Sequence, residues 1–485
     1  MSARRQLAAA KNPLWLRLGL DVICLAVSLL VFRASSSNNY SLVLAPEGVP
    51  TIAVSYWAFL GPTLLWIGAA LLLWRLAALV LAHGRGPLTA LVRPLTGSLA
   101  RTTAAGMSRQ RTPLVRSVVL LALAISFAVS TATFNATYRQ QAEVDAVLTN
   151  GADVTVTESP GVIVSPDAAT NLAAVPGVRQ VEPVQHRLAY VGSDLQDFYG
   201  VRPSTIADAT ALQDAYFVGG TAHELMNQLL RKPDSILVSD ETVKDFQLAP
   251  GDLLRLRLQD SRTKAFRTVP FHYAGIVKEF PTAPRDSFFV ANAEYVAKAT
   301  GSNAVGTFLV DTGGKNQAAV ATGVRNLLGN SAKVTDVTQS RAQVGSSLTS
   351  VDLAGLTRFE LAFAVVIAAG AGGLVLALGL AERRRTFAIA TVIGARRQQL
   401  RGLVLSEALL VMLGGLIGGA LVAWALSAML IKVLTGVFDP PPSSAAVPWL
   451  YLIATVVVAV GAIAAGALIS AQGSTRPAVE ELRDL

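Results

Sequence analysis

Six stretches of the chain are almost wholly apolar: Leu14–Phe32, Tyr56–Ala82, Leu114–Phe134, Leu361–Ala381, Gly402–Leu434 and Val447–Ala471. Each holds about 20 residues or more, the length a helix needs to cross the hydrocarbon core of a bilayer. Between the third and fourth runs the pattern changes. Asn135–Phe359 is polar and mixed, and long enough to bury a core of its own. Short β-branched and aromatic runs there predict strands at Thr155–Thr157, Arg187–Val191, Ser235–Val238, Leu253–Leu258, Thr268–Val277, Phe288–Val290 and Phe308–Val310. Helical spacing marks Asp240–Phe246, Ala293–Ala299 and Gln317–Leu328. Asn135–Leu148 and Thr338–Arg358 are polar but helix-compatible, and read as stalks that prolong the third and fourth membrane helices outward. The pattern as a whole predicts an α-helical membrane protein of six transmembrane helices with an inserted α+β extracytoplasmic domain.

Composition agrees with that class. Of 485 residues, 52% are hydrophobic and 15% charged, and the mean hydropathy is +0.48, well above an ordinary soluble chain. A net charge of +9 raises the question of nucleic acid. The excess, however, lies in loops beside the apolar runs, which argues against nucleic acid as a partner and for a lipid bilayer. His83–Arg116 holds six arginines and no acid, and Ala381–Arg401 holds six arginines against Glu382. The opposite loops, Arg33–Ser55 and Thr435–Ala446, are nearly uncharged. Positive charge marks the cytoplasmic side, so both termini are expected inside the cell. Arg4, Arg5 and Lys11 precede the first run, but no small-residue cleavage site follows it and Arg33 closes it, which predicts an uncleaved anchor.

The most informative stretch is Ala381–Leu410. Arg383, Arg384 and Arg385 leave one apolar run, and Arg396, Arg397 and Arg401 precede the next. Between them Thr386–Ile393 is apolar and helix-competent, with Phe387 and Ile393 as its large anchors and Gly394 fitted to end a helical turn. A compact basic loop with one buriable face suits docking into a groove on a cytoplasmic partner, whereas most basic loops only set topology.

With Gly394-Ala395-Arg396-Arg397-Gln398, Glu407 and the pairs Gly414-Gly415 and Gly418-Gly419, this stretch resembles the cytoplasmic loop and following helix of FtsX-like (MacB-like) permease subunits of bacterial ABC transporters. Thr386 and Thr391 depart from the acidic and basic residues often found at those places in the family. Ile236–Leu258, Val175–Val184 and Gly275–Val277 are similar to segments of the family's extracytoplasmic core, and Pro477–Arg483 to its tail. The resemblance covers 114–485; the first two runs are extra to it, as in the C-terminal half of the long duplicated form. It implies two additional helices and a basic loop at 1–113, a first core helix at 114–134, a MacB-like domain at 135–359, and three core helices at 360–485 with a coupling loop at 381–401. It implies a multi-pass protein of the bacterial plasma membrane, partnered by a cytoplasmic ABC ATPase and a second permease core. ATP would bind that partner, and no cofactor is expected in this chain. The expected role is export or mechanotransmission. A membrane-anchored receptor or scaffold without an ATPase is the alternative.

Other candidate residues fit around this reading. Gly414 with Gly418, and Gly415 with Gly419, form small-residue faces for helix packing, either between subunits or within the chain. Glu407 is placed either to pair with Arg401 or Arg397, or to face the positive end of its helix. Arg17 and Asp21 stand i, i+4 and are expected to neutralise each other. Gly313-Gly314-Lys315 lacks the spacing of a phosphate-binding loop. One cysteine, Cys24, and four unpaired histidines leave metal and disulfide chemistry unsupported. With no nucleotide-binding motif and no Ser/His/Asp or carboxylate-pair motif in the external domain, the chain is not expected to be an enzyme.

Overall fold

The computed structural model describes residues 14–37, 59–159, 162–283, 287–346, 397–433 and 444–473, with single positions between 359 and 370 and at 442. Packing divides the chain into two units. One comprises Met1–Tyr138, Leu353–Val437 and Ser444–Leu485; the other comprises Arg139–Asp352 and Phe438–Ser443.

The first unit is helical. Among the described residues, four helices are long and apolar enough to cross a membrane: Leu60–His83, Arg111–Asn150, Gln398–Val433 and Trp449–Ala467. They leave Trp424 75% and Leu450 85% exposed. Large side chains presented this way are stable in lipid and costly in water. The chain is therefore a membrane protein with a domain inserted in its sequence. The fourth apolar run lies almost wholly outside the described residues. The first is not one helix: Gly19, at φ +67°, separates Leu14–Leu18 from Leu20–Ser37.

That break corrects one expectation. An i, i+4 pair needs continuous helix between its members, and Gly19 interrupts it between Arg17 and Asp21. Asp21 instead accepts a 2.6 Å hydrogen bond from Arg75 of helix Leu60–His83, and the same guanidinium donates to the Leu16 carbonyl at 3.0 Å. Asp21 is fully buried. A second departure concerns His83–Arg116, which reads as a loop. It is a helical hairpin, Arg85–Thr96 and Ala100–Arg109, joined by a short turn at Gly97–Leu99. Leu88 and Val92 from one arm, and Ala100, Ala104 and Met107 from the other, join a single buried cluster with Leu81, Leu114, Val115, Leu400 and Val404.

The second unit is built on ten strands: β1 Val154–Glu158, β2 Gln180–Val191, β3 Asp194–Val201, β4 Phe217–Val218, β5 Ser235–Ser239, β6 Leu253–Gln259, β7 Phe266–Val277, β8 Phe288–Asn292, β9 Thr307–Asp311 and β10 Ala332–Asp336. Their order is β10-β1-β9-β2-β3-β8-β5-β7-β4, with β6 pairing both β2 and β7. Strands β2, β3, β8, β5, β7 and β6 thus pair round in a closed circuit, which removes the unpaired edges an open sheet would present. Period-two burial fills its interior: Leu254, Leu256 and Leu258 alternate inward along β6 and meet Phe198, Phe271 and Phe289. Gly251, at φ +96°, makes the turn that enters β6.

The first half of β2 leaves the circuit and pairs β9, extending a smaller sheet through β1 to β10. Helices Ala168–Ala173 and Gln317–Leu328 supply Leu172, Val320, Ala321 and Val324 to the core over that sheet. Glu182 of β2 is fully buried and is met by both arms of Arg202, at 2.8 and 2.7 Å.

Candidate functional site

Two places carry features beyond what packing a core requires. The first is the helix Arg397–Val433, which continues from the basic stretch. Its glycines make one long close contact with other helices of the same chain. A methyl added at Gly414 would lie 2.9 Å from Val118, at Gly415 2.4 Å from Leu121, and at Gly419 2.8 Å from Ile125 and 2.9 Å from the Ala122 carbonyl oxygen. At Gly418 it would lie 2.9 Å from the end of the Leu73 side chain. Three of the four glycines thus face helix Arg111–Asn150, and the fourth faces Leu60–His83. Nearer its start, Gly402 lies against the hairpin, where a methyl would come within 2.4 Å of the Leu95 carbonyl oxygen. Backbones approach this closely only where side chains are missing. Glu407 stands ten residues after Arg397, the first residue of the helix, hence about 15 Å along it and beyond the first turn.

On helix Arg111–Asn150, Ser126 and Ser130 donate to the carbonyls of Leu123 and Phe127, and Trp66 donates to the Ser126 hydroxyl at 3.0 Å. Both hydroxyl protons are thus taken up by carbonyls of their own helix.

The second place lies in the other unit, where the helix ends. Gly151, at φ +92°, stops it, with its amide on the Val147 carbonyl at 2.8 Å. Two residues on, the Asp153 carboxylate accepts from the Thr312 amide (2.9 Å) and hydroxyl (2.7 Å), the Gly314 amide (2.9 Å) and the Gln317 side chain (2.9 Å). The Asp153 carbonyl takes the Val337 amide at 3.0 Å. Helix Val337–Ser346 starts there, capped by Asp336, whose carboxylate accepts from the amides of Thr338 (3.0 Å) and Gln339 (3.3 Å) and from Arg325 (3.3 Å). Arg341 on this helix reaches Glu143 on the other with both arms, Nε to Oε2 at 2.6 Å, and Ser340 donates to Asn150. The end of one helix and the start of the next are thus clasped to each other and to the small sheet. Burial pushes both Asp153 and Asp336 up, but their hydrogen bonds outweigh it and hold each below the ordinary carboxylate range. The Gly313-Gly314 amides are spent on Asp311 and Asp153. Among the described residues, no group of three or more His, Cys, Asp or Glu is placed to hold a metal ion.

Residues 358–477 match the family described as FtsX-like permease C-terminal. This segment is the part of the chain that is similar to that family. It includes the basic stretch, the helix with the glycine seam and helix Trp449–Gly473. The chain is also similar to the crystal structure of the extracellular domain of the noncanonic ABC-type transporter YknZ from Gram-positive bacteria, at 15% identity and a TM-score of 0.26, over 38% of this chain and 99% of that one. No curated protein matches the chain. Within the FtsX-like segment, Arg383, Arg384, Arg385, Phe387, Ile393, Gly394 and Arg396 lie outside the described residues.

Sequence reasoning did not single out the clasp, although it left signals. Asp336-Val-Thr-Gln339 has the acidic cap followed three residues later by Gln that marks a helix start. The Arg341–Glu143 contact joins residues 198 apart and left none.

Proposed function

We propose that this chain is the membrane subunit of a bacterial ABC transporter and that it couples ATP hydrolysis by a separate cytoplasmic ATPase to movement of its outer domain, for export or mechanotransmission. The observation that carries the reading is the FtsX-like match at 358–477, which spans the Arg-rich loop at 381–401. In this reading the chain spans the plasma membrane six times with both termini in the cytoplasm. A second permease core, from a further copy or a separate half, completes the assembly. Phe387 and Ile393 enter a groove on the ATPase, Gly394 turns the chain, and Arg383, Arg384, Arg385, Arg396 and Arg397 meet its acidic rim. Helix Arg397–Val433 passes the movement across the glycine seam to helix Arg111–Asn150, which ends in the clasp. The seam and the clasp support this path because each is a close joint with no slack: bulk is excluded at Gly415 and Gly419, and Asp153 is fully engaged.

Phe387→Asp tests the coupling. A charge forced into an apolar groove with no partner costs roughly 3–5 kcal/mol, a loss of more than a hundredfold in association. The expected result is loss of ATPase co-purification and of stimulated ATP turnover, with unchanged unfolding of the full chain. Normal binding and turnover in the variant would remove the coupling role and leave the receptor or scaffold reading in front.

A further inference from the structure

The hairpin Arg85–Arg109 carries a charge distribution that setting topology does not require. Arg85, Arg93, Arg101, Arg109, Arg111 and Arg116 are all exposed, and no acidic residue occurs from His83 to Arg116. Among the described residues none of the six is in an ion pair. A loop that only orients a protein needs charge but no fixed arrangement. Here both arms are held by packed faces. Arg93 directly follows buried Val92, and Arg101 directly follows buried Ala100. One residue of helix turns the side chain about 100°, so each guanidinium flanks its packed face.

The hairpin is also pinned at both ends. Only Gly84 separates it from helix Leu60–His83, and only Gln110 separates it from helix Arg111–Asn150. Its buried residues share a cluster with Leu81, Leu114 and Leu400 near the ends of three apolar helices. A layer one helix thick, about 10–12 Å, docked on the ends of membrane helices lies at the depth of lipid headgroups. Leu95, 39% exposed, adds an apolar side chain to the hairpin's surface.

We propose that this hairpin is a binding surface for the headgroups of anionic phospholipids, which hold the first two helices and the adjoining start of helix Arg397–Val433 against the bilayer. Charge complementarity and the one-residue tethers favour lipid over a protein occupant, since the tethers keep the arginines at the membrane surface.

The test uses the full chain in bilayer discs of equal parts phosphatidylcholine and phosphatidylglycerol. It is extracted gently, and the lipids that stay bound are quantified by mass spectrometry. One variant is R93Q/R101Q/R109Q; a second, R93K/R101K/R109K, keeps the charge. Near a membrane surface each basic residue contributes roughly fivefold in preference for anionic lipid. The bound phosphatidylglycerol ratio should therefore exceed the bulk ratio in wild type and in the lysine variant, fall by about tenfold or more in the glutamine variant, and decline in wild type as salt is raised. Bulk-ratio lipid on wild type, or undiminished enrichment on the glutamine variant, overturns the proposal. So does a glutamine variant that keeps its lipid but loses a co-purifying acidic protein. Because the wild-type and lysine arms carry the expected enrichment, the proposal stays testable even if the glutamine variant misfolds.

Discussion

The seam between helices Arg397–Val433 and Arg111–Asn150 makes a quantitative prediction from two neighbouring glycines. Gly419→Ala brings a methyl to 2.8 Å from Ile125 Cβ and 2.9 Å from the Ala122 carbonyl oxygen. Ile125 is buried and β-branched, and the carbonyl is backbone, so neither yields without moving a helix. Carbon contacts settle at about 3.5–4.0 Å, so the helices must part by several tenths of an ångström. Overpacking of this kind costs about 1–3 kcal/mol. Gly418→Ala brings its methyl to 2.9 Å from Leu73 Cδ2, the free end of a partly exposed side chain that a rotamer change removes. Both variants gain the same helix propensity, about 1 kcal/mol, so it cancels in the comparison. Gly419→Ala is therefore expected to be less stable than Gly418→Ala by about 1–3 kcal/mol, with Gly418→Ala equal to wild type or above it. The assay is unfolding of both full-length variants side by side in one detergent. Equal stabilities, or the reverse order, would refute the seam as described. Loss of oligomer in Gly418→Ala without any change in unfolding would show that this glycine serves an interface between subunits instead.

The remaining predictions follow from single contacts. Asp21→Ala removes the buried partner of the partly exposed Arg75 and should destabilise the packing of the first two helices by roughly 3–5 kcal/mol, read as a lower unfolding midpoint of the full chain; Arg17→Ala should do far less. Because Asp153 and Asp336 are held below their ordinary pKa, the stability they confer is present above about pH 4 and is lost as pH falls through their folded values. Protection of the Val337 and Thr312 amides against hydrogen exchange, taken relative to the intrinsic rate at each pH, should therefore fall below that point, and Asp153→Asn should flatten the dependence. Single cysteines at Ser193 and at Ser302 should label with an impermeant thiol reagent in intact cells while one at Ser108 should not; labelling at Ser108 alone would reverse the proposed orientation.

The sequence was most legible where a local pattern and its burial coincide. Leu253–Leu258 alternates in sequence and lies in β6, and Gln317–Leu328 has helical spacing and is a helix of those bounds. All seven runs read as strands form strands, most of them longer than their apolar centre because pairing carries the ladder past it. Of the three strands not foreseen, β4 is only two residues long, and β3 has its apolar centre, Phe198, Tyr199 and Val201, behind a polar first half. β3 contains Asp194, Gln196 and Asp197, and β10 offers only Val334 as a large apolar residue. Both are strands because neighbours pair with them, which no single-chain pattern encodes. Helix Ala222–Arg231 is a different kind of omission, since its capping box, Thr221 with Glu224, stands in the sequence.

The membrane unit shows the same division between local and distant causes. The apolar runs carry their own length signal, but the hairpin Arg85–Arg109 hides behind a polar composition. Its buried stripe, Leu88, Val92 and Thr96, is only one residue wide, narrower than the face a helix normally buries. A stripe that narrow suffices because its neighbours are already helices, and Gly402 lets the Leu95 carbonyl rest directly on one of them. Arg17 and Asp21 show the converse. The spacing was a sound local rule, and Gly19 cancelled it by breaking the helix the rule presumes, leaving Asp21 to a partner 54 residues away. Where a glycine lies between two charges proposed as a helical pair, the glycine is the residue to weigh first. With no side chain to favour the helix, it ends the helix at little cost, and a buried carboxylate then takes whichever cation the tertiary fold supplies.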